Sequence, residues 1–456
     1  MSALTPGLSP VSKSETKTLL SIGAGVSMAI AASIGISFIE TLVVAQLGAQ
    51  ALSGVTLGLA LYSLVFVGCL GVVVAINPIL SQAVGRGDQL AIRSNAQQAG
   101  FVALAMSVLG LLVFALSPYL LAPMASDATQ LDIAVTYLKG AAAGLPAWVV
   151  YIALRSVLMS LGSVRIATWT MLASVPFHAL FAYALTHGTP FSPALGVLGA
   201  GIAHSMISYL TVVVILLAMQ RSRSPVMHNL MQGPMRFDAP VFGAIFRLGI
   251  PLCARILLRE GMLPASVLLL ASSGTAMVAA HAVALRVVSF AGVVSFGLAS
   301  ATIVQVGAAI GAGDWIRAKA ITSLATRLCV GLGVLICLGI IASATSIVGL
   351  FLPADDIITP MTARLLAVAC LFVLIDCVQG PVGAALVAMQ DAKMPLVIYA
   401  VSIWLLGFPL AYVLSHAMAV AAEGVWLGLS LGSACATAML AIRLREKLKK
   451  QNPLPI

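Results

Sequence analysis

Three acidic residues stand inside apolar stretches of the chain, where a carboxyl group could exchange a proton or bind a cation. They are Glu40 in "ISFIETLVVAQLG", Glu260 in "RILLREGML" and Asp376 in "VLIDCVQGPVGAAL". A charge at bilayer depth costs about 2.5–3.5 kcal/mol on insertion scales, so intramembrane ionisable residues usually mark a functional site. These three acids are therefore the first candidates for such a site.

Glu40 has no cationic partner in the first half of the chain, and His178 in "SVPFHALFAYAL" is the most suitable polar neighbour. A carboxyl group without a cation in a low-dielectric cavity resists ionisation, and histidine titrates near neutral pH. Together the two residues are predicted to form a proton site. The alternatives are that Glu40 stays protonated and only hydrogen-bonds a neighbouring helix, and that His178 serves helix packing.

The second half of the chain carries a larger group of buried polar candidates, which comprises Arg255, Arg259, Glu260, Arg286, Asp376 and Gln379. Arg255 and Arg259 are four residues apart and share one helix face, and Glu260 lies about 100° further round that helix. Two acids and three arginines can neutralise one another across neighbouring helices. Both a static brace and a role in a transport cycle are consistent with this pattern. The three arginines, Gln379 and Ser37 are the candidate residues of a substrate cavity.

The composition is that of a polytopic membrane protein. Hydrophobic residues make up 61% of the 456 residues and charged residues only 8%, whereas soluble domains carry about 25% charged residues. The seven cysteines all lie in apolar stretches, so no disulfide framework is expected. The N-terminus lacks the pattern of a signal peptide and is expected to be a cytoplasmic tail.

Apolar windows predict twelve membrane-spanning helices, over 18–44, 51–80, 96–121, 131–160, 164–187, 195–220, 242–271, 276–309, 320–349, 359–388, 393–416 and 422–443. The odd-numbered connections contain no lysine or arginine, and most of the 24 basic residues lie in the tails and the even-numbered connections. The positive-inside rule then places both termini in the cytoplasm. The net charge of +10 reflects this topology, so no nucleic-acid partner is expected.

The chain is predicted to contain five regions: a cytoplasmic tail over 1–17, an N-terminal lobe over 18–220, a cytoplasmic linker over 221–241, a C-terminal lobe over 242–443 and a basic cytoplasmic tail over 444–456. At an offset of 226, residues 47–88 align without a gap on residues 273–314, and the two segments end in "GRGD" and "GAGD". This internal repeat indicates two six-helix lobes of the same orientation.

Parallel repeats of this kind are typical of secondary transporters, whose substrate and ion sites lie near the bilayer midplane. A channel would more naturally be built from several short subunits. The chain has no phosphate-binding GxxxxGK[ST] motif and no HExxH or CxxC metal pattern, so an ATP-driven pump and an enzyme are not expected.

Several motifs in order along the chain resemble the multidrug and toxic compound extrusion (MATE) family, nearer its NorM-like bacterial branch. They are "FIETLVVAQLG" (38–48), "QAVGRGD" (82–88), "ALRSVLMSLG" (153–162), "RLGIP" (247–251), "VAAHAVAL" (278–285), "GAAIGAGD" (307–314), "DCVQGPVGAAL" (376–386), "LLGFPLAY" (405–412) and "GVWLGL" (424–429). The resemblance implies an all-α, V-shaped fold of twelve helices in the bacterial cytoplasmic (inner) membrane. It also implies a cation-coupled antiporter of amphipathic organic compounds, such as dyes and fluoroquinolones, which works without a cofactor and opens alternately to the two sides of the membrane.

The resemblance also assigns roles to individual residues. Glu40 matches the family's coupling acid in span 1, which is usually aspartate, and Asp376 matches the acid in span 10. Ser174 and His178 occupy the positions of two asparagines that flank the span 5 proline in the family. The coupling residues implied by the resemblance are therefore Glu40, Ser174, His178, Asp376 and, more weakly, Glu260.

Three positions depart from the family pattern. Arg259 stands where NorM-like proteins carry a glutamate, with Glu260 displaced by one residue; Phe372 replaces a tyrosine; and "LVA" at 386–388 replaces "LRG". Sodium prefers several oxygen ligands and is repelled by a guanidinium, so proton coupling through Glu40 is predicted, with sodium as the alternative.

The arginines leave the charge of the substrate open. An anionic or zwitterionic amphiphile is one alternative to an organic cation, and a flippase of lipid-linked precursors is another. A scaffold or receptor without transport activity would leave the buried acids unexplained. The expected partners are a small amphipathic substrate and the lipid bilayer, with the protein acting as a monomer.

Overall fold

The computed structural model describes residues 13–190, 193–222, 227, 230, 235–270, 274–351, 358–417 and 421–451. Within these ranges the chain is almost entirely helical and contains no β-strand. The predicted all-α class is therefore confirmed. Residues 1–12 of the predicted N-terminal tail, much of the predicted linker over 221–241 and residues 452–456 lie outside the described residues.

Twelve helices of the described chain are long and apolar enough to span a membrane, as predicted. These spans are Lys13–Ala45, Ala49–Arg86, Gln89–Ala115, Ala128–Ser160, Val164–His187, Gly196–Gln220, Ala239–Leu268, Thr275–Gly311, Trp315–Ala342, Ile358–Ala388, Lys393–His416 and Ala422–Lys450, numbered 1 to 12 below. Two short helices, Ser117–Leu121 and Ala344–Phe351, follow spans 3 and 9.

Three spans are composed of more than one helical segment. Span 2 consists of Ala49–Val73 and Ile76–Arg86, and span 4 contains a 3₁₀ turn over Ala142–Gly144 between Ala128–Ala141 and Leu145–Ser160. Span 11 begins as Lys393–Tyr399, continues as a π-helix over Ala400–Gly407 and ends as Phe408–Ala417. π-Helical turns are rare and often lie at functional sites, and this one directly follows a buried tyrosine, Tyr399, described below.

The repeated Gly-Asp motif explains why spans 3 and 9 begin earlier than the sequence predicted. Gly87 and Gly313 have φ angles of 70° and 77°, a left-handed conformation that glycine adopts without steric cost and that commonly ends a helix. The next residue caps the following helix: the carboxylate of Asp88 accepts from the amide of Ala91, and that of Asp314 from the amide of Arg317. Two adjacent residues, a glycine and an aspartate, thus end one helix and start the next.

The chain divides into two compact units. One unit, here called the first unit, is Met28–Cys253, and the second unit contains the described residues through Ser27 together with those from Ala254 onward. The division falls within spans 1 and 7, whereas the sequence predicted a lobe boundary at the linker over 221–241. The two compact units therefore do not coincide with the predicted lobes at these two helices.

Close packing of small residues accounts for this division. In the second unit the hydroxyl of Ser27 donates to the carbonyl of Val293 at 3.1 Å, and a Cβ atom on Gly23 would lie only 3.0 Å from the side chain of Leu298. In the first unit a Cβ atom on Gly249 would lie 2.9 Å from the carbonyl oxygen of Val72. Small residues allow helix backbones to approach closely in membranes, so the early part of span 1 packs with span 8, and the early part of span 7 with span 2.

Candidate ion-coupling site

Glu40 lies in the interior of the first unit, near the C-terminal end of span 1, and its side chain is completely buried. The hydroxyl of Tyr137, from span 4, donates to Oε1 of Glu40 at 2.8 Å. Nδ1 of His204, from span 6, lies 3.2 Å from Oε2. Both carboxyl oxygens are therefore engaged by polar groups of neighbouring helices, and no guanidinium or ammonium group of a described residue forms an ion pair with Glu40.

A second hydrogen bond fixes the orientation and protonation pattern of His204. The indole N–H of Trp148 donates to Nε2 of His204 at 3.0 Å. Because an indole nitrogen can only donate, Nε2 must be the acceptor, and the ring proton of a neutral imidazole then resides on Nδ1. That N–H points to Oε2 of Glu40. The aromatic ring of Tyr62 closes the site edge-on against the imidazole, with ring centroids 4.9 Å apart.

Close helix packing brings Tyr137 and His204 to the same carboxylate. A Cβ atom on Gly140 of span 4 would lie 2.8 Å from the backbone nitrogen of Ile202 in span 6. The hydroxyl of Ser205 donates to the carbonyl of Gly140 at 2.6 Å, so the two spans are bonded at this level. A residue with a side chain at position 140 would push spans 4 and 6 apart and separate the two partners of Glu40.

His178 is close to this group but is not the direct partner that the sequence predicted. Its ring is fully buried and stands edge-on to His204, with centroids 6.2 Å apart, and neither ring nitrogen has a hydrogen-bond partner among the described residues. The hydroxyl of Ser174 donates to the carbonyl of Met171 in its own helix at 2.7 Å. The partner assignment is therefore corrected: Glu40 is held by Tyr137 and His204, with His178 one ring away.

Ser37 also lies away from the carboxylate. Its side chain is exposed, and its hydroxyl points to the carbonyl of Ser33 at 3.4 Å. Although Ser37 is only one turn before Glu40, the two residues face different surroundings. The structure thus gives Ser37 no contact with the Glu40 site.

In the second unit Asp376 forms an ion pair with Arg259. Nη2 of Arg259 lies 2.8 Å from Oδ1 and 3.0 Å from Oδ2 of Asp376, so one guanidinium nitrogen occupies both carboxylate oxygens. The hydroxyl of Ser295 donates to the backbone carbonyl of Asp376 at 3.3 Å. A sodium ion at Asp376 would have to displace this guanidinium.

Within the group of five charged residues that was predicted to be mutually neutralising, this is the only ion pair among the described residues. Glu260 and Arg286 are exposed, and neither forms an ion pair with another described residue. The reason is geometric, since Glu260 projects about 100° away from the face that carries Arg255 and Arg259. Arg255 lies on the correct face but forms no ion pair within the described part of the chain.

Gln379 braces three helices next to this pair. Its side-chain amide donates to the carbonyl of Ser433 at 3.2 Å and to the hydroxyl of Thr437 at 3.3 Å, and its oxygen accepts from the hydroxyl of Tyr399 at 3.2 Å. These bonds link spans 10, 11 and 12. Both the nitrogen and the oxygen of the Gln379 side-chain amide are thus hydrogen-bonded, and the bond to the oxygen holds Tyr399 in position.

The sequence prediction missed His204, Tyr137 and Trp148. His204 lies in "GAGIAHSMISYL" within an apolar span, and isolated histidines and aromatic residues in such spans are usually packing residues. The available signal was the run of small residues at Gly199, Gly201 and Ser205 on both sides of His204, which is typical of a close helix contact. Such a pattern predicts a close contact between helices, but it does not identify the neighbouring helix.

No group of three or more His, Cys, Asp or Glu residues that could hold a metal ion occurs among the residues that the structure describes. The cluster around Glu40 contains one carboxylate, the phenols of Tyr62 and Tyr137 and two imidazoles. Such a set can accept and donate protons, whereas it offers few oxygen ligands to a metal cation.

Comparison with known proteins gives one consistent result. A family model described as MatE matches residues 20–184 and 251–413. A protein named "Probable multidrug resistance protein NorM" from Bradyrhizobium diazoefficiens is 29% identical over 406 residues, with 88% of this chain and 87% of the relative covered. The protein of the same name from Agrobacterium fabrum is 27% identical over 450 residues, with 96% and 95% covered. A solved structure titled "Crystal structure of MATE in the bent conformation" has a TM-score of 0.87 at 17% identity, covering 99% of both chains.

Proposed function

The chain belongs to the MatE family, and from that premise we propose that it is a proton-coupled antiporter that exports amphipathic organic compounds, with Glu40 as the residue that binds the coupling proton. The observation that carries the proposal is the complete burial of Glu40 between Tyr137 and His204 without a cationic side chain. The printed names of relatives, "Probable multidrug resistance protein NorM", support drug export. Bacterial relatives of this kind also favour the inner membrane, and the basic residues of the sequence favour cytoplasmic termini.

The neighbours of Glu40 favour a proton over sodium as the coupling ion. Nδ1–H of His204 and the hydroxyl of Tyr137 are hydrogen-bond donors, and they occupy the two oxygens that a sodium ion would need. Sodium requires several oxygen ligands, and the nearby ring nitrogens are poor substitutes. Asp376 offers no second sodium site while Arg259 is bound to it.

Protonation of Glu40 would change which residue donates in this network. An ionised carboxylate only accepts hydrogen bonds, whereas a protonated one carries an O–H donor. When Glu40 is protonated, its O–H either donates to the hydroxyl oxygen of Tyr137 or faces Nδ1–H of His204. In the second case the contact with His204 lengthens, because Nδ1–H of a neutral imidazole cannot accept a hydrogen bond. The links between spans 1, 4 and 6 therefore differ between the two protonation states. That difference is what could bias an alternating-access transporter toward one conformation.

The proposal is tested in proteoliposomes with a proton gradient and a sodium gradient imposed separately. A fluorescent organic cation serves as the transported compound. We expect counterflow of protons and no dependence on sodium. Glu40→Gln should abolish proton-driven transport, whereas Glu40→Asp, which restores the family's usual acid, should retain a large part of it. Full activity of Glu40→Gln would remove Glu40 from the mechanism, and transport driven by sodium alone would favour the sodium-coupled alternative.

A second candidate function is transport of an anionic amphiphile, including a flippase that moves a lipid-linked compound. Arg255 favours it, because this guanidinium has no carboxylate partner among the described residues. A flippase would move a fluorescent lipid analogue between leaflets in the same vesicles. Lipid movement without export of soluble compounds would favour this second function.

A further inference from the structure

A groove of about 560 Å³ lies on the surface of the first unit, over the close contact between spans 4 and 6. Its volume is within the range of about 300–1,000 Å³ that is common for sites that bind small molecules. From span 6 it is lined by Met206, Tyr209 and Val213, each of which is about half exposed. Successive helix residues are about 100° apart, so these three side chains lie on the face of span 6 opposite His204. The groove is therefore separate from the Glu40 site, which His204 faces.

Apolar side chains form most of this groove. Besides the residues of span 6 named above, the apolar lining comprises Ala143, Phe181, Leu198, Ile202 and Leu210. Gly140 and Ser205, which hold spans 4 and 6 together, also line it. Among the described residues that line the groove, only Lys139 carries a charge. The groove thus suits a long apolar group that ends in an anion.

Lys139 lies near one end of the groove. A Cβ atom on the adjacent Gly140 would lie 2.8 Å from both the backbone nitrogen of Ile202 and the carbonyl oxygen of Leu198, so Lys139 is level with the first turns of span 6. From Ile202 the lining continues to Val213, which at 1.5 Å per residue is roughly 16 Å. Half of a hydrocarbon core of about 30 Å is about 15 Å. The length of the groove beyond Lys139 therefore matches an acyl chain of one leaflet.

Lys139 has no counter-charge within the described part of the chain. Its side chain is exposed, and it takes part in none of the ion pairs found there. The nearest acid along span 4 is Asp132, two turns earlier at roughly 10 Å. A lysine at bilayer depth lays its apolar stem along the protein and carries its ammonium group toward the headgroups. The anion that it meets at that level is a lipid phosphate.

We infer that the groove is a binding site for one anionic phospholipid, which places an acyl chain along span 6 and its phosphate at the ammonium group of Lys139. Lysine binds phosphate as a point charge, and the acyl chain would cover the exposed side chains of span 6. The lipid would lie against Gly140 and Ser205, the contact that brings the two partners of Glu40 together. The inference goes beyond the proposed function, because it depends neither on the exported compound nor on the coupling ion.

The test measures lipid binding to the purified protein in detergent by native mass spectrometry. The delipidated protein is titrated with palmitoyl-oleoyl phosphatidylglycerol, which carries a net negative charge, or with phosphatidylcholine of the same chains, which carries none. The wild type should bind one phosphatidylglycerol first and more tightly than phosphatidylcholine. Lys139→Gln should weaken binding of phosphatidylglycerol about fivefold, which corresponds to about 1 kcal/mol for one lysine at an anionic lipid. Binding of phosphatidylcholine should be nearly unchanged.

Two further variants and a matched control sharpen the test. Lys139→Arg keeps the positive charge and should keep the preference for phosphatidylglycerol. Ala143→Phe fills the groove from an exposed position and should weaken binding of both lipids, because the ring takes the space of the acyl chain. Lys393→Gln removes an exposed lysine at the start of span 11, outside the groove lining, and should bind both lipids as the wild type does.

Equal affinity of the wild type for the two lipids would overturn the inference. Equal losses in Lys139→Gln and Lys393→Gln would also overturn it, since they would show attraction by net charge alone. Glycerol 3-phosphate has the phosphate without acyl chains and should not displace the lipid. Displacement by the dye rhodamine 6G would assign the groove to the exported compound instead. Because the assay contains no ion gradient, its result is independent of whether Glu40 couples protons.

Discussion

The indole N–H of Trp148 donates to Nε2 of His204, whose Nδ1 faces Oε2 of Glu40 at 3.2 Å. Three residues from three different helices therefore form a single chain of hydrogen bonds that ends at the buried carboxylate. Because tryptophan cannot accept a hydrogen bond, the direction of this chain is fixed. Trp148 is thus a positioning residue for the proposed proton site, although it does not touch Glu40.

Trp148→Phe is expected to move the pH dependence of transport. Phenylalanine keeps the aromatic ring but removes the N–H that holds Nε2 of His204, so the imidazole is no longer fixed against Oε2 of Glu40. The pH of half-maximal proton-driven transport should therefore differ from that of wild type.

Trp404→Phe is the matched control for this variant. The indole of Trp404 donates to the carbonyl of Leu258 in the second unit at 3.2 Å, so its loss removes a comparable bond far along the sequence from Glu40. The control should keep the wild-type pH profile. Identical profiles for wild type and Trp148→Phe would contradict the positioning role.

His204→Gln should impair proton-driven transport more than His178→Gln. His204 contacts Glu40 directly, whereas His178 has no hydrogen-bond partner among the described residues. We expect a loss of roughly tenfold or more in the transport rate for His204→Gln, equivalent to about 1.4 kcal/mol or more, and a smaller loss for His178→Gln. Initial rates in proteoliposomes decide between them, and the reverse order would restore His178 as the principal partner.

Arg259→Gln should lower the thermal stability of the protein by leaving Asp376 without its partner. Breaking a buried ion pair costs about 3–5 kcal/mol, and the cost here should be smaller because 30% of the Arg259 side chain is exposed. The double variant Arg259→Gln/Asp376→Asn should recover part of the loss, because neither charge is then left alone. The midpoint of thermal unfolding in detergent measures the effect, and additive losses in the double variant would argue against coupling of the two residues.

Gly140→Ala should reduce folded protein, since its added methyl group would meet backbone atoms of span 6 at 2.8 Å. Backbone cannot move aside as a flexible side chain can, so we expect a loss of roughly 1–3 kcal/mol, as for an overpacked core. Gly35→Ala is the matched control, because no atom lies within 4 Å of the position of its Cβ. The yield of monodisperse protein after detergent extraction compares the two variants, and equal yields would show that spans 4 and 6 can separate without cost.

The sequence predicted the twelve helices well because length and hydropathy alone determine which segments can cross a bilayer. The presence of an acidic residue in an apolar span also identified Glu40 as a candidate functional residue. The sequence could not show which residues lie next to Glu40. His178 and His204 both lie in apolar helices, and the choice between them depends on how closely Gly140 allows spans 4 and 6 to approach.

The second unit illustrates the same limit. Arg255, Arg259 and Asp376 were identified as a charged group from their positions in apolar segments, but sequence spacing cannot tell which arginine reaches the acid. Side chains on a helix point toward its N-terminus, and the facing helix sets the distance. In the structure Asp376 forms its ion pair with Arg259, whereas Arg255 packs against Gly383, where a Cβ atom would lie 3.3 Å from its Nη1.

The short links at Gly87–Asp88 and Gly313–Asp314 leave little slack between the helices that they join. An added residue at either link would separate the left-handed glycine from its capping aspartate, and both helix ends would lose their hydrogen bonds at once. Insertions and deletions among natural homologues should therefore be rare at these two positions and accumulate in the longer connections. The two links would then serve as fixed reference points for aligning distant members of the family.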